Sequence, residues 1–136
     1  MNKPIRVFLA AVLTGVILAP TVQARPTKRI DEKTQMCRLI GEGRLDWESE
    51  PWGLGGRKFQ EVCKSCHYRG NDKGAPFLHD ESYTSEGWNS IFASRRVKCA
   101  RDGSWSALTE EEIQLVNDYL YRNGAWTYDP NTADSC

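Results

Sequence analysis

The feature that most constrains this chain is a run of five residues, Cys63-Lys64-Ser65-Cys66-His67, which places two thiols and an imidazole close together. Residues three positions apart lie on one face of a helix, so both thiols can reach the same bound group. The imidazole follows directly and is a good metal ligand. A chain with this spacing is expected to fold around a bound group as well as around its own apolar side chains.

The first 24 residues have the features of a secretory signal peptide in the usual order. A basic start precedes an apolar stretch of 13 residues, Val7 to Ala19, and small residues precede the expected cleavage after Ala24. We therefore expect export of residues 25–136 to the periplasm, where disulfides persist. An uncleaved anchor is less consistent with so short a stretch, and no transmembrane helix is expected after cleavage.

Composition limits the classes of function. Lys and Arg together number 18, as do Asp and Glu, so a nucleic-acid partner bound through bulk charge is excluded. Hydrophobic residues make up 40% and charged residues 26%, which is typical of a folded protein rather than a disordered one. Since domains usually have about 100 to 150 residues, the chain has room for one.

In an exported protein, the Cys63-x-x-Cys66-His67 spacing indicates covalent attachment of one haem c. The two thiols would bond to the vinyl groups of the haem, and His67 would supply one axial ligand to the iron. A thioredoxin-like redox pair needs the two cysteines but not the histidine. A zinc ribbon needs a second pair of ligands at similar spacing, and the sequence has none.

Three helices are predicted from apolar spacing and from capping signals. The first covers about residues 55–67 and the second covers 85–94. The third begins after Thr109, which can form a capping box with Glu112, and ends at about Asn123. The apolar residues that define the second and third helices are Trp88, Ile91 and Phe92, and Ile113, Val116, Tyr119 and Leu120, respectively.

The sequence around the motif resembles the first helix of class I single-haem cytochromes c. The matching residues are Gly55, Phe59, Cys63, Cys66 and His67. The resemblance implies an all-α fold of three to five short helices around one covalently attached haem. It divides the chain into a signal peptide (1–24), an N-terminal extension (25–54) and a cytochrome c domain with a C-terminal tail (55–136). It also implies that the first helix crosses the last, where Tyr119 matches the aromatic residue of the family.

A second resemblance follows the motif. The segment from Gly74 through Pro76 to Leu78 is similar to the Gly-Pro-x-Leu segment of the same family. In that family the Pro carbonyl accepts a hydrogen bond from the proximal His. The resemblance therefore implies that Pro76 fixes the tautomer of His67.

The chain departs from the family at the second axial ligand. The family usually places a Met before the last helix, whereas here that loop carries Cys99, ten residues before Thr109. The basic residues around this cysteine are Arg95, Arg96, Lys98 and Arg101. Positive neighbours favour a thiolate, which is the form that binds iron. We therefore expect His67 and Cys99 as the axial pair.

Three alternatives to Cys99 remain open. His79 is the other His of the mature chain, but it follows directly behind the segment expected on the proximal side. Met36 is the Met that remains after the expected removal of the signal peptide, and it lies far upstream of the motif. An open, five-coordinate iron is the third alternative.

The remaining cysteines bear on the same question. If two of the five bind haem, Cys37, Cys99 and Cys136 are left, and an odd thiol in an oxidising space needs a role. Iron ligation by Cys99 would leave Cys37 and Cys136 to pair. Parity alone does not choose among the three pairings, and a covalent dimer through Cys136 is an alternative. We also expect a short helix over Gln35 to Ile40.

These expectations lead to three function classes. Since a thiolate ligand stabilises ferric iron, the first is low-potential electron transfer to a redox partner protein or another cytochrome subunit, docked by basic residues 95–101. The second is binding of NO or CO after Cys99 dissociates on reduction. The third is oxidation of sulfur compounds at a Cys-ligated haem. An electron carrier or ligand-binding protein is favoured over an enzyme, because few His are available for acid–base work.

Overall fold

A computed structural model describes residues 25–40 and 53–125 of the chain. These residues form a mostly helical fold with one small β-sheet. The expected signal peptide and Cys136 lie outside the described residues. Within the two described stretches, no helix is both long enough and apolar enough to cross a membrane.

The helical elements agree closely with the pattern of apolar residues. They are α1 (Leu54–Lys58), which continues as a π-helical turn over Phe59–Cys63, then α2 (Ser85–Ser94), α3 (Lys98–Arg101) and α4 (Glu110–Asn123). Short 3-10 turns at Asp80–Ser82 and Ser104–Ala107 precede α2 and α4. The second and third predicted helices are confirmed, whereas the first stops at Cys63 instead of continuing to His67.

The longest helix begins at the capping box that its sequence predicts. The Thr109 hydroxyl accepts a hydrogen bond from the Glu112 backbone N–H at 3.2 Å, and the Glu112 carboxylate accepts one from the Thr109 N–H at 2.8 Å. This pair satisfies two backbone donors that a helix start otherwise leaves unbonded. The core is built on this helix and on α2. Its buried apolar members are Phe59, Trp88, Phe92, Leu108, Ile113, Val116, Tyr119 and Leu120.

The closest approach in the core is the crossing of α1 over α4. A methyl group added at Gly55 would overlap the backbone carbonyl of Leu115 and lie 2.9 Å from the Tyr119 Cβ. One turn later, the Phe59 and Tyr119 rings lie 6.1 Å apart between centroids. The expected crossing of the first and last helices is therefore present, and Gly55 permits it because it has no side chain.

The N-terminal segment is a β-hairpin, and the expected helix over Gln35 to Ile40 is wrong. Strands β1 (Lys28–Ile30) and β2 (Cys37–Leu39) pair in antiparallel fashion. The chain turns back because the Asp31 carboxylate accepts the Lys33 N–H at 2.9 Å and the Asp31 carbonyl accepts the Gln35 N–H at 2.7 Å. Gln35 has a φ of 58°, which helices exclude. The expectation of an all-α chain is thus corrected for this segment.

A buried ionic cluster holds the hairpin against the helices. The Arg29 side chain is fully buried, and its Nε donates to Asp118 Oδ1 of α4 at 2.6 Å. Its two terminal nitrogens donate to Asn89 at 2.9 Å and to Gln114 at 2.6 Å. Arg38 donates to the second carboxylate oxygen of Asp118 at 2.6 Å. The hairpin therefore points Arg29 and Arg38 toward the helices, where each has hydrogen-bonding partners.

The first prediction concerns this cluster. Asp118→Ala removes the carboxylate that faces the buried Arg29 cation, so it should lower the free energy of unfolding by about 3–5 kcal/mol. Glu111→Ala is the matched control, because Glu111 reaches Arg38 only at 3.8 Å and is 63% exposed. That variant should lose at most about 1 kcal/mol. Urea denaturation measures both, and equal losses in the two variants would contradict the assignment.

The second prediction concerns the helix crossing. Gly→Ala within a helix ordinarily stabilises by up to about 1 kcal/mol. Gly55→Ala should instead destabilise by about 1–3 kcal/mol or more, because the methyl group has to displace the α4 backbone. Arg57→Ala, at an exposed position of the same helix, is the control and should leave the unfolding temperature nearly unchanged. A Gly55→Ala chain that melts at or above the wild-type temperature would disprove the close approach.

Candidate functional site

The Cys63–His67 segment forms the turn that ends the first helix. The π-helical turn closes with a hydrogen bond from the Lys64 N–H to the Phe59 carbonyl at 2.9 Å. The Cys63 carbonyl then accepts the N–H groups of Cys66 at 3.2 Å and His67 at 2.9 Å. Single π-turns in helices occur often at functional sites. The two thiols and the imidazole are therefore held by one continuous set of backbone bonds.

The imidazole of His67 has a fixed partner on one side of its ring. Its Nδ1 lies 2.7 Å from the backbone carbonyl of Pro76. Since a carbonyl can only accept, Nδ1 donates to it, and in the neutral ring Nε2 then keeps its lone pair. This is the hydrogen bond that the resemblance implies for Pro76. It leaves Nε2 as the nitrogen available to a metal.

The loop that brings Pro76 back to His67 is closed by further bonds. The Leu78 N–H donates to the His67 carbonyl at 3.2 Å. The Lys64 ammonium donates to the carbonyls of Leu78 at 2.6 Å and His67 at 3.3 Å. Lys64 thus ties the return of the loop to the motif itself. This role of Lys64 was not predicted from the sequence, although its position between the two cysteines places it beside the loop.

Three thiols in the described stretches are unpaired: Cys63, Cys66 and Cys99, all half-buried. Cys37 is disulfide-bonded, and its expected partner Cys136 lies outside the described residues. The expectation that Cys99 stays out of the disulfide thus agrees with the structure. Cys63, Cys66 and Cys99 are therefore free thiols, whereas the cysteine of the hairpin is oxidised.

Cys99 lies close enough to the motif to influence it. Burial raises the pKa of the Cys63 thiol to about 12, and the neighbouring Cys99 and Cys66 thiols add to the increase. Cys99 belongs to α3, a single helical turn between α2 and α4. Cys66 and Cys99 are therefore both near enough to Cys63 to act on its thiol electrostatically.

The basic residues around Cys99 differ in their contacts. Arg95 ends α2 in a left-handed conformation and binds both carboxylate oxygens of Glu110, at 2.8 Å and 2.5 Å. This ion pair also lowers the pKa of the Glu110 carboxyl. Arg96, Lys98 and Arg101 are exposed. Arg95 thus fixes the start of the loop, while the other three present positive charge to solvent.

Within the described part of the chain, Cys63 is one of five partly buried residues at the edge of the apolar core. The partly buried residues that pack against the core are Val62, Cys63, Leu78, Ile91 and Trp105. The Trp105 ring stacks on Phe92 of α2, with centroids 4.9 Å apart. Sequence analysis missed Trp105, although a large aromatic residue in a polar loop is itself a signal of contact with the core.

The two alternative ligands, His79 and Met36, lie in surroundings different from those of Cys99. His79 is exposed and its Nδ1 caps the 3-10 turn by accepting the Glu81 N–H at 3.3 Å. Met36 is 61% exposed and precedes β2 on the hairpin. Neither is among the partly buried residues that pack against the apolar core. Within the described residues, no group of three or more His, Cys, Asp or Glu is arranged to hold a bare metal ion.

Comparison of this chain with protein-family models, with curated proteins and with solved structures finds no match. The function therefore has to be argued from the geometry of the site.

The third prediction concerns thiol reactivity in the haem-free chain. A pKa of about 12 for Cys63 lowers its thiolate fraction at pH 8 by about a thousandfold relative to an exposed thiol. The greater nucleophilicity of a high-pKa thiolate offsets part of this, which leaves alkylation about 30-fold slower than in the unfolded chain. The rate should rise about tenfold per pH unit below the pKa, since only the thiolate reacts.

Peptide mass mapping after brief alkylation measures this rate at each site. Trypsin cleaves after Lys64, so Cys63 and Cys66 are found on different peptides. The same chain unfolded in guanidinium is the control. Equal Cys63 labelling in the folded and unfolded chain would contradict the burial of this thiol.

Proposed function

We propose that this chain is a periplasmic c-type cytochrome similar to class I, with one haem c bound to Cys63 and Cys66. His67 and Cys99 would be its axial ligands. The protein would transfer electrons at low potential to a redox partner protein or to another cytochrome subunit.

The observation that carries the proposal is the 2.7 Å hydrogen bond between His67 Nδ1 and the Pro76 carbonyl. A histidine that ligates a metal almost always donates its other ring N–H to a carbonyl, a carboxylate or water. Here the backbone carbonyl is held in place by the closed loop between His67 and Leu78. His67 is therefore oriented as a ligand with Nε2 available.

The thiols also suit covalent attachment. Cys63 and Cys66 are free and three residues apart on the turn that leads to His67. Val62 and Cys63 are partly buried and pack against the apolar core, which suits contact with one face of a porphyrin. These residues therefore fit a haem in both bonding and polarity. The bound haem would supply the iron that changes oxidation state.

Cys99 is the candidate for the second ligand because it lies near enough to Cys63 to contribute to the raised pKa of that thiol. Its thiol is free and half-buried, as a ligand requires. Exposed Arg96, Lys98 and Arg101 surround it with positive charge. A bound thiolate donates electron density to iron and stabilises the ferric state. The protein is therefore proposed to work at low potential, with this basic loop facing an acidic redox partner.

The fourth prediction tests both the covalent attachment of haem and the ligation of its iron by Cys99. The full chain is produced with haem-maturation machinery, as wild type, Cys99→Ala and Cys99→Met. Wild type should give a low-spin ferric electron paramagnetic resonance signal typical of thiolate, which Cys99→Ala loses. Cys99→Met should raise the reduction potential by on the order of 0.1 V or more, because a thioether donates less density to iron.

Arg96→Ala is the matched control, since it changes the charge of the same loop and leaves the thiol in place. It should keep the thiolate signal. A signal that survives Cys99→Ala would reject Cys99 as the ligand and return His79 or Met36 to consideration. A wild-type chain that takes up no covalent haem under these conditions would reject the cytochrome itself.

A second function, the binding of NO or CO, is favoured by one observation. Cys99 sits on α3, which is only four residues long, and no side chain caps its start. A ligand held by so short a helix is easily displaced once reduction weakens the bond between iron and thiolate. Carbon monoxide added to the reduced wild type distinguishes the two functions. A shifted absorption band supports gas binding, whereas an unchanged spectrum supports electron transfer alone.

A further inference from the structure

The loop between His67 and Pro76 has to be rigid if the Pro76 carbonyl is to orient the imidazole. Gly70 and Gly74 both adopt left-handed conformations, with φ of 74° and 65°. Glycine adopts such conformations at little cost, but it also makes an unfolded loop more flexible. Other contacts must therefore hold the loop in one shape.

A single side chain inside the loop supplies these contacts. Asn71 Nδ2 donates to the backbone carbonyls of Tyr68 at 2.9 Å and Ala75 at 2.7 Å. Asn71 Oδ1 accepts the backbone N–H groups of Lys73 at 3.1 Å and Ala75 at 3.1 Å. An Asn side chain has two donors and two acceptor lone pairs, and all four are used here.

These bonds bear directly on Pro76. Asn71 fixes both backbone groups of Ala75, the residue immediately before Pro76. The Pro ring fixes its own φ, so the peptide plane on that side has little freedom. On the other side, the Leu78 N–H bonds to the His67 carbonyl. The direction of the Pro76 carbonyl is therefore fixed from both sides. Asn71 fixes it on the N-terminal side, through Ala75.

We propose that Asn71 is a positioning residue for the metal ligand His67, acting through Ala75 and Pro76. This inference rests on the proposed function, because it assigns His67 to iron. The bond from Nδ1–H to the Pro76 carbonyl makes the imidazole a stronger donor and fixes its ring. Loss of Asn71 frees the carbonyl, weakens this donation and lowers the preference of iron for the ferric state.

Three variants test the assignment. Asn71→Ala removes all four bonds. Asn71→Asp keeps an acceptor for the N–H groups of Lys73 and Ala75 but removes both donors, so it is expected to fold. Asp72→Ala is the matched control in the same loop, because the Asp72 carboxylate accepts from the Tyr68 hydroxyl at 3.3 Å and not from the loop backbone.

Two readouts are taken on the full chain. The first is hydrogen exchange of the His67 Nδ1 proton, followed by NMR in the haem-free and the haem-loaded chain. It should accelerate at least tenfold in Asn71→Ala, less in Asn71→Asp, and remain unchanged in Asp72→Ala. The second is the reduction potential of the haem-loaded chain, which should rise in the same order. A purely structural role would lower the melting temperature without moving the potential.

The outcomes separate the two proposals. If exchange and potential in Asn71→Ala and Asn71→Asp both equal those of Asp72→Ala, Asn71 does not position His67 and the inference is overturned. If the wild type binds no haem, the proposed function fails, and the haem-free exchange rates alone decide the role of Asn71. Faster exchange in both Asn71 variants with a matching rise in potential supports the inference.

Discussion

The rest of the structure depends on how closely α1 approaches α4 at Gly55. No side chain separates the two backbones there, because even a methyl group would meet the Leu115 carbonyl. The crossing places Phe59 against Tyr119 and turns the end of the first helix toward the core. Burial of Phe59 then fixes the turn that carries Cys63. A packing constraint far from any chemistry thus determines where the thiols and the imidazole lie.

Beyond that turn, the loop is held in shape by hydrogen bonds rather than by apolar packing. The Cys63–His67 segment is only partly buried, and the loop that returns to it is largely exposed. Its shape is maintained by backbone groups bonded to Lys64 and Asn71 and by the bond between His67 and Pro76. Fixed donors and acceptors of this kind hold one ring orientation without the rearrangement that water would require. The ring orientation of His67 is therefore fixed by the protein's own groups, which suits the function we propose.

Local signals in the sequence were sufficient for α2 and α4. The capping box of Thr109 and Glu112 and the apolar stripe of α4 depend only on residues within one helix, so they can be recognised without the fold. The hairpin was missed because its stability comes from Arg29 and Asp118, which are 89 residues apart. The Pro76 contact was accessible only through a resemblance. The role of Asn71 was not predicted, although an Asn beside Gly70 is typical of a loop closed by side-chain hydrogen bonds.

The buried pair of Arg29 and Asp118 also has a consequence for the order of events as the chain emerges into the periplasm, where we propose that haem is attached. Arg29 emerges early, whereas its partner emerges only with the last helix. A buried guanidinium is stable only when its counter-charge is present, so the hairpin has to wait for α4 before it can dock. The Cys63–His67 segment emerges during that wait, before Tyr119 of α4 is available to pack against Phe59. Haem attachment, as we propose it, would therefore have an interval of access before the last helix packs.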